Sequence, residues 1–310
     1  VTGVQTCSSD LVMTRTRNEN NMDNANRAKK FEDTINYLSP KLKTVLNNIP
    51  QNIKPFVQEI RLKSGKIPHF IYKNNTYFVS TDKNNTINLV SPEDINQCLN
   101  IMCGYSIYSF QEQLKEGFIT INGGNRVGIC GTAVIKNGNI ENIKNITSLN
   151  IRIAQEFKGC SKEIFENIKY QIGGTLISGP PGCGKTTILR DLARIISTDS
   201  KIPKKVTIVD ERMEIASCFE GKAQMDVGLS DILSGFPKGE GILRAVRCLS
   251  PEVVICDEIG SEKDTDAIIQ SLNSGICVIA SVHAKSKDEL IRKPQIKKLL
   301  NSGAFEKIIL

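Results

Sequence analysis

The sequence predicts an α/β protein with two domains, a C-terminal one built on a parallel sheet and a smaller N-terminal α/β (α+β) one. In the second half, short apolar strands such as "GTLISG" and "KVTIVD" alternate with helical stretches such as "TTILRDLARIIS", which indicates a parallel sheet flanked by helices. In the first half, alternating apolar and polar residues are bounded by turn signals, which is typical of a sheet with few helices. The 310 residues are enough for one large or two medium domains.

The two ends of the chain differ in composition from the rest. Residues 1–30 are expected to be disordered or artefactual, because residues 1–11 resemble a translated sequencing adapter and residues 13–30 are polar and rich in Asn and Arg. The natural start is expected at Met13 or Met22, and the pattern at the other end stops within a strand, so we expect the natural chain to continue. The predicted boundaries are 31–154 for the N-terminal domain, 155–170 for a linker with a short helix capped by Ser161, and 171–310 for the C-terminal domain.

Local signals predict several elements of the N-terminal domain. The stretch "HFIYKNNTYFVS" predicts a hairpin around Asn74–Asn75. Ser91 as an N-cap and Pro92 at the first helical position predict a helix that begins there. The stretch "FITINGGNRVGICGTAVIKNGNI" predicts strands around a turn at Gly123–Gly124.

Composition argues against several classes of protein. No apolar run approaches the roughly 18 to 20 residues of a membrane span, and no signal-peptide pattern is present, so we expect a cytoplasmic protein. The ten cysteines are scattered without a C-x-x-C pair, and with only two histidines they do not predict a zinc site. The net charge of +7 comes largely from dispersed lysines, so a nucleic-acid partner is not expected.

A phosphate-loop pattern, G-x-x-x-x-G-K-[ST] (Walker A), follows the first strand of the C-terminal domain and opens a helix. We expect its glycines to let backbone N–H groups surround a polyphosphate, Lys185 to reach the β- and γ-phosphates, and the Thr186 hydroxyl to bind Mg²⁺. The alternative is a Gly-Pro turn before an ordinary helix. The predicted nucleotide-binding residues are Gly179, Pro180, Pro181, Gly182, Cys183, Gly184, Lys185, Thr186 and Thr187.

Two adjacent carboxylates follow the strand "VVIC". In a parallel sheet ligands bind beyond the carboxyl ends of the strands, so Asp257 and Glu258 are expected to face the nucleotide. Asp257 is predicted to bind Mg²⁺, and Glu258 to orient and deprotonate the attacking water, which predicts hydrolysis. Two solvated acids at a strand end are the alternative.

The strand "KVTIVD" also ends in charged residues, with Asp210 as its last residue and Glu211, Arg212 and Glu214 after it. They could bind metal or water, contact a neighbouring subunit, or form a salt-bridge cluster. Glu211 is the candidate catalytic residue among them.

Several further side chains have two interpretations each. Arg244 and Arg247 are three residues apart and share a helix face, so Arg247 is either surface charge or a phosphate-sensing or subunit-bridging residue. His283 ends an apolar strand and is either an ordinary polar residue or a γ-phosphate sensor. Arg126 and Arg152 interrupt apolar strands, so buried partners are expected, either a nucleotide phosphate or an internal carboxylate.

With these residues identified, the chain resembles the stage III sporulation protein AA family, which is similar to type II and type IV secretion and pilus-retraction ATPases. The resemblance covers about residues 31–310 and rests on "EIRLKSGKIP", "GFITINGGNRVGICGTAV", "NIRIA", "SGPPGCGKTT", "VDERMEIA", "RCLSPEVVICDEIG" and "SVHAKS" in order. The segment "DERME" matches the acidic box of the secretion ATPases only loosely, whereas His283 fits their histidine box.

The resemblance implies an N-terminal domain that clamps ATP against a RecA-like P-loop domain, in a hexameric ring. It also implies a mother-cell ATPase, peripheral to the membrane around the forespore, that energises the channel between the two cells with other stage III sporulation proteins. One alternative is a P-loop kinase. Another is a nucleotide-gated scaffold or DNA-associated AAA-type ATPase, which only the net charge of +7 supports. The sequence lacks the guanine-recognition motif N-K-x-D, which argues against a GTPase.

Overall fold

The computed structural model describes residues 4–5, 17–79 and 89–310. They form two compact units, and the boundary between them falls between Gln155 and Glu156. Residues 17–155 make the N-terminal unit, whereas residues 4–5 and 156–310 make the C-terminal unit. Met13, one of the expected starts, lies outside the described residues. The first element is a two-residue strand, β1 (Val4–Gln5).

In its described residues the N-terminal unit is an antiparallel sheet of six strands in the order β4-β3-β2-β7-β6-β5, with four helices. The helices are α1 (Arg17–Ile35), α2 (Pro40–Asn47), α3 (Pro92–Met102) and α4 (Gln111–Lys115). The strands are β2 (Val57–Lys63), β3 (His69–Tyr72), β4 (Asn75–Phe78), β5 (Phe118–Ile121), β6 (Asn125–Lys136) and β7 (Asn139–Arg152).

Residues 13–30 were predicted to be disordered, but α1 covers most of that range. Phe31 and Ile35 in its last turns are fully buried in the core of the unit. Once one end of a helix is anchored by packing, adding further residues costs little, even when they are polar. The polar composition therefore did not predict this helix.

The turn and cap signals are close to what the structure shows. Ser91 forms a capping box with Asp94 at the start of α3, as its position before Pro92 predicts. The β3–β4 turn consists of Lys73 and Asn74, both with positive φ, so it lies one residue earlier than predicted. Strands β5 and β6 meet around Gly123–Gly124 as expected.

The C-terminal unit is a parallel sheet of seven strands in the order β1-β13-β8-β12-β11-β9-β10. Its strands after β1 are β8 (Thr175–Gly179), β9 (Val206–Asp210), β10 (Asp231–Ser234), β11 (Val253–Cys256), β12 (Cys277–His283) and β13 (Lys307–Ile309). Its helices are α5 (Lys162–Ile168), α6 (Lys185–Thr198), α7 (Lys238–Cys248), α8 (Glu262–Asn273), α9 (Lys287–Arg292) and α10 (Pro294–Asn301).

Two hydrophobic cores cover the two faces of this sheet, because successive strand residues point to opposite sides. Leu176 packs with residues of α7, α8 and α10, whereas its neighbour Ile177 packs with residues of α5 and α6. The parallel sheet flanked by helices that the sequence rhythm predicts is therefore present.

The segment predicted as a linker, residues 155–170, is instead largely part of the C-terminal unit. Its short helix α5 buries Ile164, Phe165 and Ile168 in the core beside α6. Ser161 stands at the N-cap position, but its hydroxyl donates to Asp191 on α6 rather than capping α5. A helix with three buried apolar residues is fixed by packing, which composition alone does not reveal.

Candidate active site

The candidate site lies where four parallel strands of the C-terminal unit end. Strand β12 lies between β8 and β11, and its register pairs His283 with Gly179 and Ala280 with Cys256. The register therefore brings the histidine beside the start of the phosphate loop and the carboxylate after Cys256 beside Ser281. Ligands of parallel sheets bind beyond these carboxyl ends.

The phosphate loop leads from β8 into α6 with two glycines in left-handed conformations. Gly182 has φ 76° and Gly184 has φ 95°, and no atom lies within 4 Å of where a Cβ would stand on either. Gly184 is the N-cap of the 14-residue helix α6, and no side chain caps that end. The first N–H groups of α6 therefore lack intrahelical partners, the arrangement that suits a bound phosphate.

Lys185, the first residue of α6, is buried, and its ammonium group has three close partners. Nζ donates to the carbonyl oxygens of Gly179 at 3.0 Å and Pro180 at 2.8 Å. It also lies 3.0 Å from Nδ1 of His283. The ammonium group is thus held inside the loop, where a phosphate would replace these acceptors.

The structure brings Thr186 and Asp257 together as predicted for a shared metal site. The Thr186 hydroxyl donates to Oδ2 of Asp257 at 2.8 Å, and the Ser281 hydroxyl donates to Oδ1. A threonine hydroxyl and a carboxylate are oxygen donors of the kind that Mg²⁺ takes in combination with phosphates and water. The residues present therefore fit a magnesium nucleotide.

Glu258 follows Asp257 and is held at both its side chain and its backbone. Arg212 Nη1 donates to Oε2 at 2.6 Å, and His283 Nε2 lies 2.8 Å from Oε1. The backbone is left-handed, with φ 44°, a conformation that is uncommon for residues other than glycine. Its N–H donates to Ser281 Oγ at 2.9 Å, and its carbonyl accepts from Lys238 Nζ at 2.8 Å.

The charged residues at the end of β9 and directly after it differ in their contacts. Asp210 is buried and accepts hydrogen bonds from three successive backbone N–H groups, those of residues 214–216, so it shapes the loop. Glu211 and Arg212 instead form ion pairs, Glu211 with Lys238 at 3.3 Å and Arg212 with Glu258. The salt-bridge interpretation thus describes the contacts of these two residues.

The other arginines singled out in the sequence are at least partly exposed to solvent. Arg244 and Arg247 are exposed on α7, and the guanidinium group of Arg244 stacks on Phe236. In the N-terminal unit the side chain of Arg152 is 67% exposed, with Nε 3.9 Å from Oε1 of Glu59.

The expectation that Arg126 and Arg152 are buried is wrong, because Arg126 is half-buried and Arg152 is exposed. Successive residues of a strand point to opposite faces of the sheet, and these two side chains point away from the core. Arg126 is half-buried, and its guanidinium group stacks on the ring of Phe118 at 3.6 Å.

Two residues of the site, Ser281 and Lys238, were not identified from the sequence. Ser281 bonds both Asp257 and Glu258, and its position two residues before His283 on β12 was the only available signal. Lys238 is buried and contacts both Glu258 and Glu211, although it comes after a loop and carries no motif. Both lie beside Glu258 because of the lateral order of the strands in the sheet, which cannot be derived from sequence spacing.

Asp191, six residues after Lys185 on α6, joins this helix to the segment before α5. It is buried and accepts hydrogen bonds from the N–H groups of Gly159 and Ser161, each at 2.9 Å, and from Arg194. Burial acts to raise the pKa of Asp191, but the hydrogen bonds from Ser161, Gly159 and Arg194 outweigh it and lower the pKa below its ordinary value.

Comparison with solved structures shows the fold. The Legionella pneumophila ATPase DotB superposes with a TM-score of 0.53 at 17% identity, over 81% of this chain and 67% of that chain. The pilus retraction motor PilT with bound ADP superposes with a TM-score of 0.55 at 15% identity, over 81% of this chain and 73% of that chain. The predicted RecA-like P-loop fold is therefore confirmed.

Comparison of sequences identifies the family. The family model "Sporulation stage III, protein AA" matches residues 28–310. Stage III sporulation protein AA of Bacillus subtilis (strain 168) is 38% identical over 277 residues, which are 88% of this chain and 88% of that protein. The ordered motifs that suggested the resemblance lie within the matched residues. The chain therefore belongs to the sporulation stage III protein AA family.

Proposed function

We propose that this chain is a Mg²⁺-dependent ATPase motor that energises a channel between mother cell and forespore. The observation that carries the proposal is the 2.8 Å hydrogen bond between Thr186 and Asp257, close to the buried Lys185. It supports a single site in which the phosphate loop and the carboxylate after β11 act on one nucleotide. The fold, which the ATPase DotB and the motor PilT share, agrees with this activity.

The phosphate loop would bind the triphosphate of ATP. Residues 179–187 supply the open glycine backbone and the N-terminus of α6, and Lys185 would exchange its contacts with Gly179 and Pro180 for phosphate oxygens. Thr186 and Asp257 would hold Mg²⁺, which neutralises charge on the phosphates. The 2.8 Å contact between their side chains supports this pair as the protein ligands of the ion.

Glu258 would act as the general base. It would take a proton from a water whose oxygen forms a bond to the γ-phosphorus, while the bond between that phosphorus and the oxygen of ADP breaks, leaving ADP and phosphate. His283, in contact with both Lys185 and Glu258, would respond to the γ-phosphate. Glu211 stays a candidate because Lys238 links it to the backbone of Glu258.

The remaining roles concern assembly. We propose a homohexameric ring in the cytoplasm of the mother cell, attached to the membrane around the forespore through other stage III sporulation proteins. No helix within residues 17–79 and 89–310 has the length and apolarity needed to cross a bilayer. The N-terminal unit would clamp the nucleotide, with the exposed Arg152 as a phosphate contact and Arg247 as a contact between subunits.

Two variants test the proposed reaction. We expect Lys185→Ala to abolish ATP binding, and Glu258→Gln to keep ATP binding while losing phosphate release. Phosphate release by Glu258→Gln at the normal rate would refute the assignment of the base. Transfer of the phosphoryl group to an added acceptor, without free phosphate, would favour the kinase alternative.

The assembly is tested separately by size. We expect the purified protein to shift to a large ring when a non-hydrolysable ATP analogue and Mg²⁺ are added, measured by light scattering during gel filtration. A monomer with full ATPase activity would contradict the motor.

A further inference from the structure

Lys238 is a buried cation that no motif of the sequence explains. Its exposure is 6%, and it stands at the first position of α7. Burying an ammonium group is costly unless hydrogen bonds and a counter-charge offset the lost hydration. Lys238 has two such partners, the carbonyl oxygen of Glu258 at 2.8 Å and Oε2 of Glu211 at 3.3 Å.

The partner carbonyl belongs to a residue with an unfavourable backbone. A left-handed conformation is unfavourable for a residue with a side chain, so Glu258 adopts φ 44° only because its surroundings hold it there. Two side chains do so from opposite ends of the residue. Ser281 Oγ accepts from the N–H group at 2.9 Å, and Lys238 Nζ donates to the carbonyl.

The direction of the Glu258 side chain follows from this backbone. With the residue in the left-handed region, its carboxylate reaches His283 and Arg212. Relaxation of φ to a negative value would turn the side chain away from these partners, because the Cα–Cβ bond rotates with the backbone.

We propose that Lys238 is a positioning residue that fixes the backbone of Glu258 and so aims the Glu258 carboxylate at the attacking water. The inference rests on the proposed ATPase function. It deepens that function because Lys238 acts through a backbone carbonyl and needs no contact with ATP, Mg²⁺ or water.

The first test is Lys238→Met, which keeps the length of the side chain and removes its donors. We expect kcat for phosphate release to fall about 100-fold, the scale of a small displacement of a catalytic group. KM for ATP and binding of a non-hydrolysable analogue should stay as in the wild type. Loss of ATP binding with unchanged kcat, or no loss of kcat, would overturn the inference.

A double-mutant cycle separates positioning from a general structural effect. Single-turnover hydrolysis is compared for Glu258→Gln with and without Lys238→Met. If Lys238 acts through Glu258, the second substitution adds no further loss. Additive losses would refute the positioning role.

Lys54 offers a matched control, because it is 3% exposed, lies in the N-terminal unit and pairs with Glu32. We expect Lys54→Met to lower stability without a selective loss of kcat. If Lys238→Met does not fold, Lys238→Gln keeps one amide donor and should show a smaller loss of kcat; a normal kcat would again refute the inference.

The outcomes distinguish the inference from the function on which it rests. Wild-type protein that releases no phosphate, or full activity in Glu258→Gln, removes the ATPase assignment and the role of Lys238 with it. An active wild type, an inactive Glu258→Gln and an unaffected Lys238→Met remove the role of Lys238 alone.

Discussion

His283 and Glu258 are joined by a contact of 2.8 Å between Nε2 of the imidazole and Oε1 of the carboxylate. The other ring nitrogen, Nδ1, lies 3.0 Å from Nζ of Lys185. An ammonium group can only donate, so Nδ1 accepts and the ring hydrogen is on Nε2, from which it is donated to Glu258. His283 thus connects Lys185 of the phosphate loop to the proposed base.

The variant His283→Phe tests this connection, because it keeps a ring and removes both nitrogens. We expect kcat to fall about 100-fold, as when one preorganised hydrogen-bond donor is lost from an active site. ATP binding should remain, since Lys185 keeps its position in the loop through Gly179 and Pro180. Phosphate release and binding of a fluorescent ATP analogue measure the two effects, and a normal kcat would contradict the role of His283.

Arg212→Gln should raise basal ATP turnover. In the structure both carboxylate oxygens of Glu258 have partners, and removal of Arg212 frees Oε2 to accept a proton from water. The side chain of Arg212 is 64% exposed, so the ion pair contributes at most about 1 kcal/mol to stability and the melting temperature should hardly change. A lower kcat in this variant would mean that Arg212 supports the reaction instead.

Alkylation of Cys183 should report on nucleotide binding. Its thiol is exposed in the phosphate loop, with Sγ 3.9 Å from Nζ of Lys185, so ATP with Mg²⁺ should protect it from iodoacetamide. Cys248 is exposed on α7 and should react equally with and without nucleotide. Burial raises the pKa of Cys256 to about 12, so this thiol should not react in the folded protein.

Mass spectrometry of the alkylated peptides gives the rate at each cysteine. Unchanged labelling of Cys183 at saturating ATP would place the nucleotide elsewhere.

Asp191→Asn should destabilise the protein in a pH-dependent way. The pKa of Asp191 is lowered in the folded state, so the carboxylate stabilises the fold above the unfolded pKa of about 3.9 and loses this effect as pH falls through the lower, folded pKa. We expect Asp191→Asn to lose about 2 kcal/mol at pH 7, and the difference from the wild type to shrink below pH 4.

Urea unfolding of both proteins at pH 7 and at acid pH measures the difference. A difference that is the same at both pH values would refute the stabilising charge.

The fold of the C-terminal unit was largely predictable because the signals are local. From β8 to β13, strands of three to seven residues have helices between most of them, and the glycines of residues 179–184 mark the point where β8 turns into α6. These patterns are set by backbone periodicity and by the conformational freedom of glycine, both of which can be seen in a single sequence.

The contacts within the site were only partly predictable. Asp257, Glu258 and His283 follow strands, so their position at one sheet edge was expected. Lys238 comes from a helix start, and Ser281 from within β12, so only the lateral order of strands brings them to Glu258. The left-handed backbone of Glu258 has no sequence signal at all, since only tertiary contacts stabilise it.

The attachment of residues 159–161 to α6 through Asp191 has a mechanical consequence. The segment that enters the C-terminal unit at Glu156 is bound to the helix whose first residues carry Lys185 and Thr186. Tension applied to the chain at this point would reach the phosphate loop along the 14 residues of α6, without passing through the sheet. Movement of the chain at residue 156 and rearrangement of the phosphate loop would thereby be coupled through Asp191 and α6.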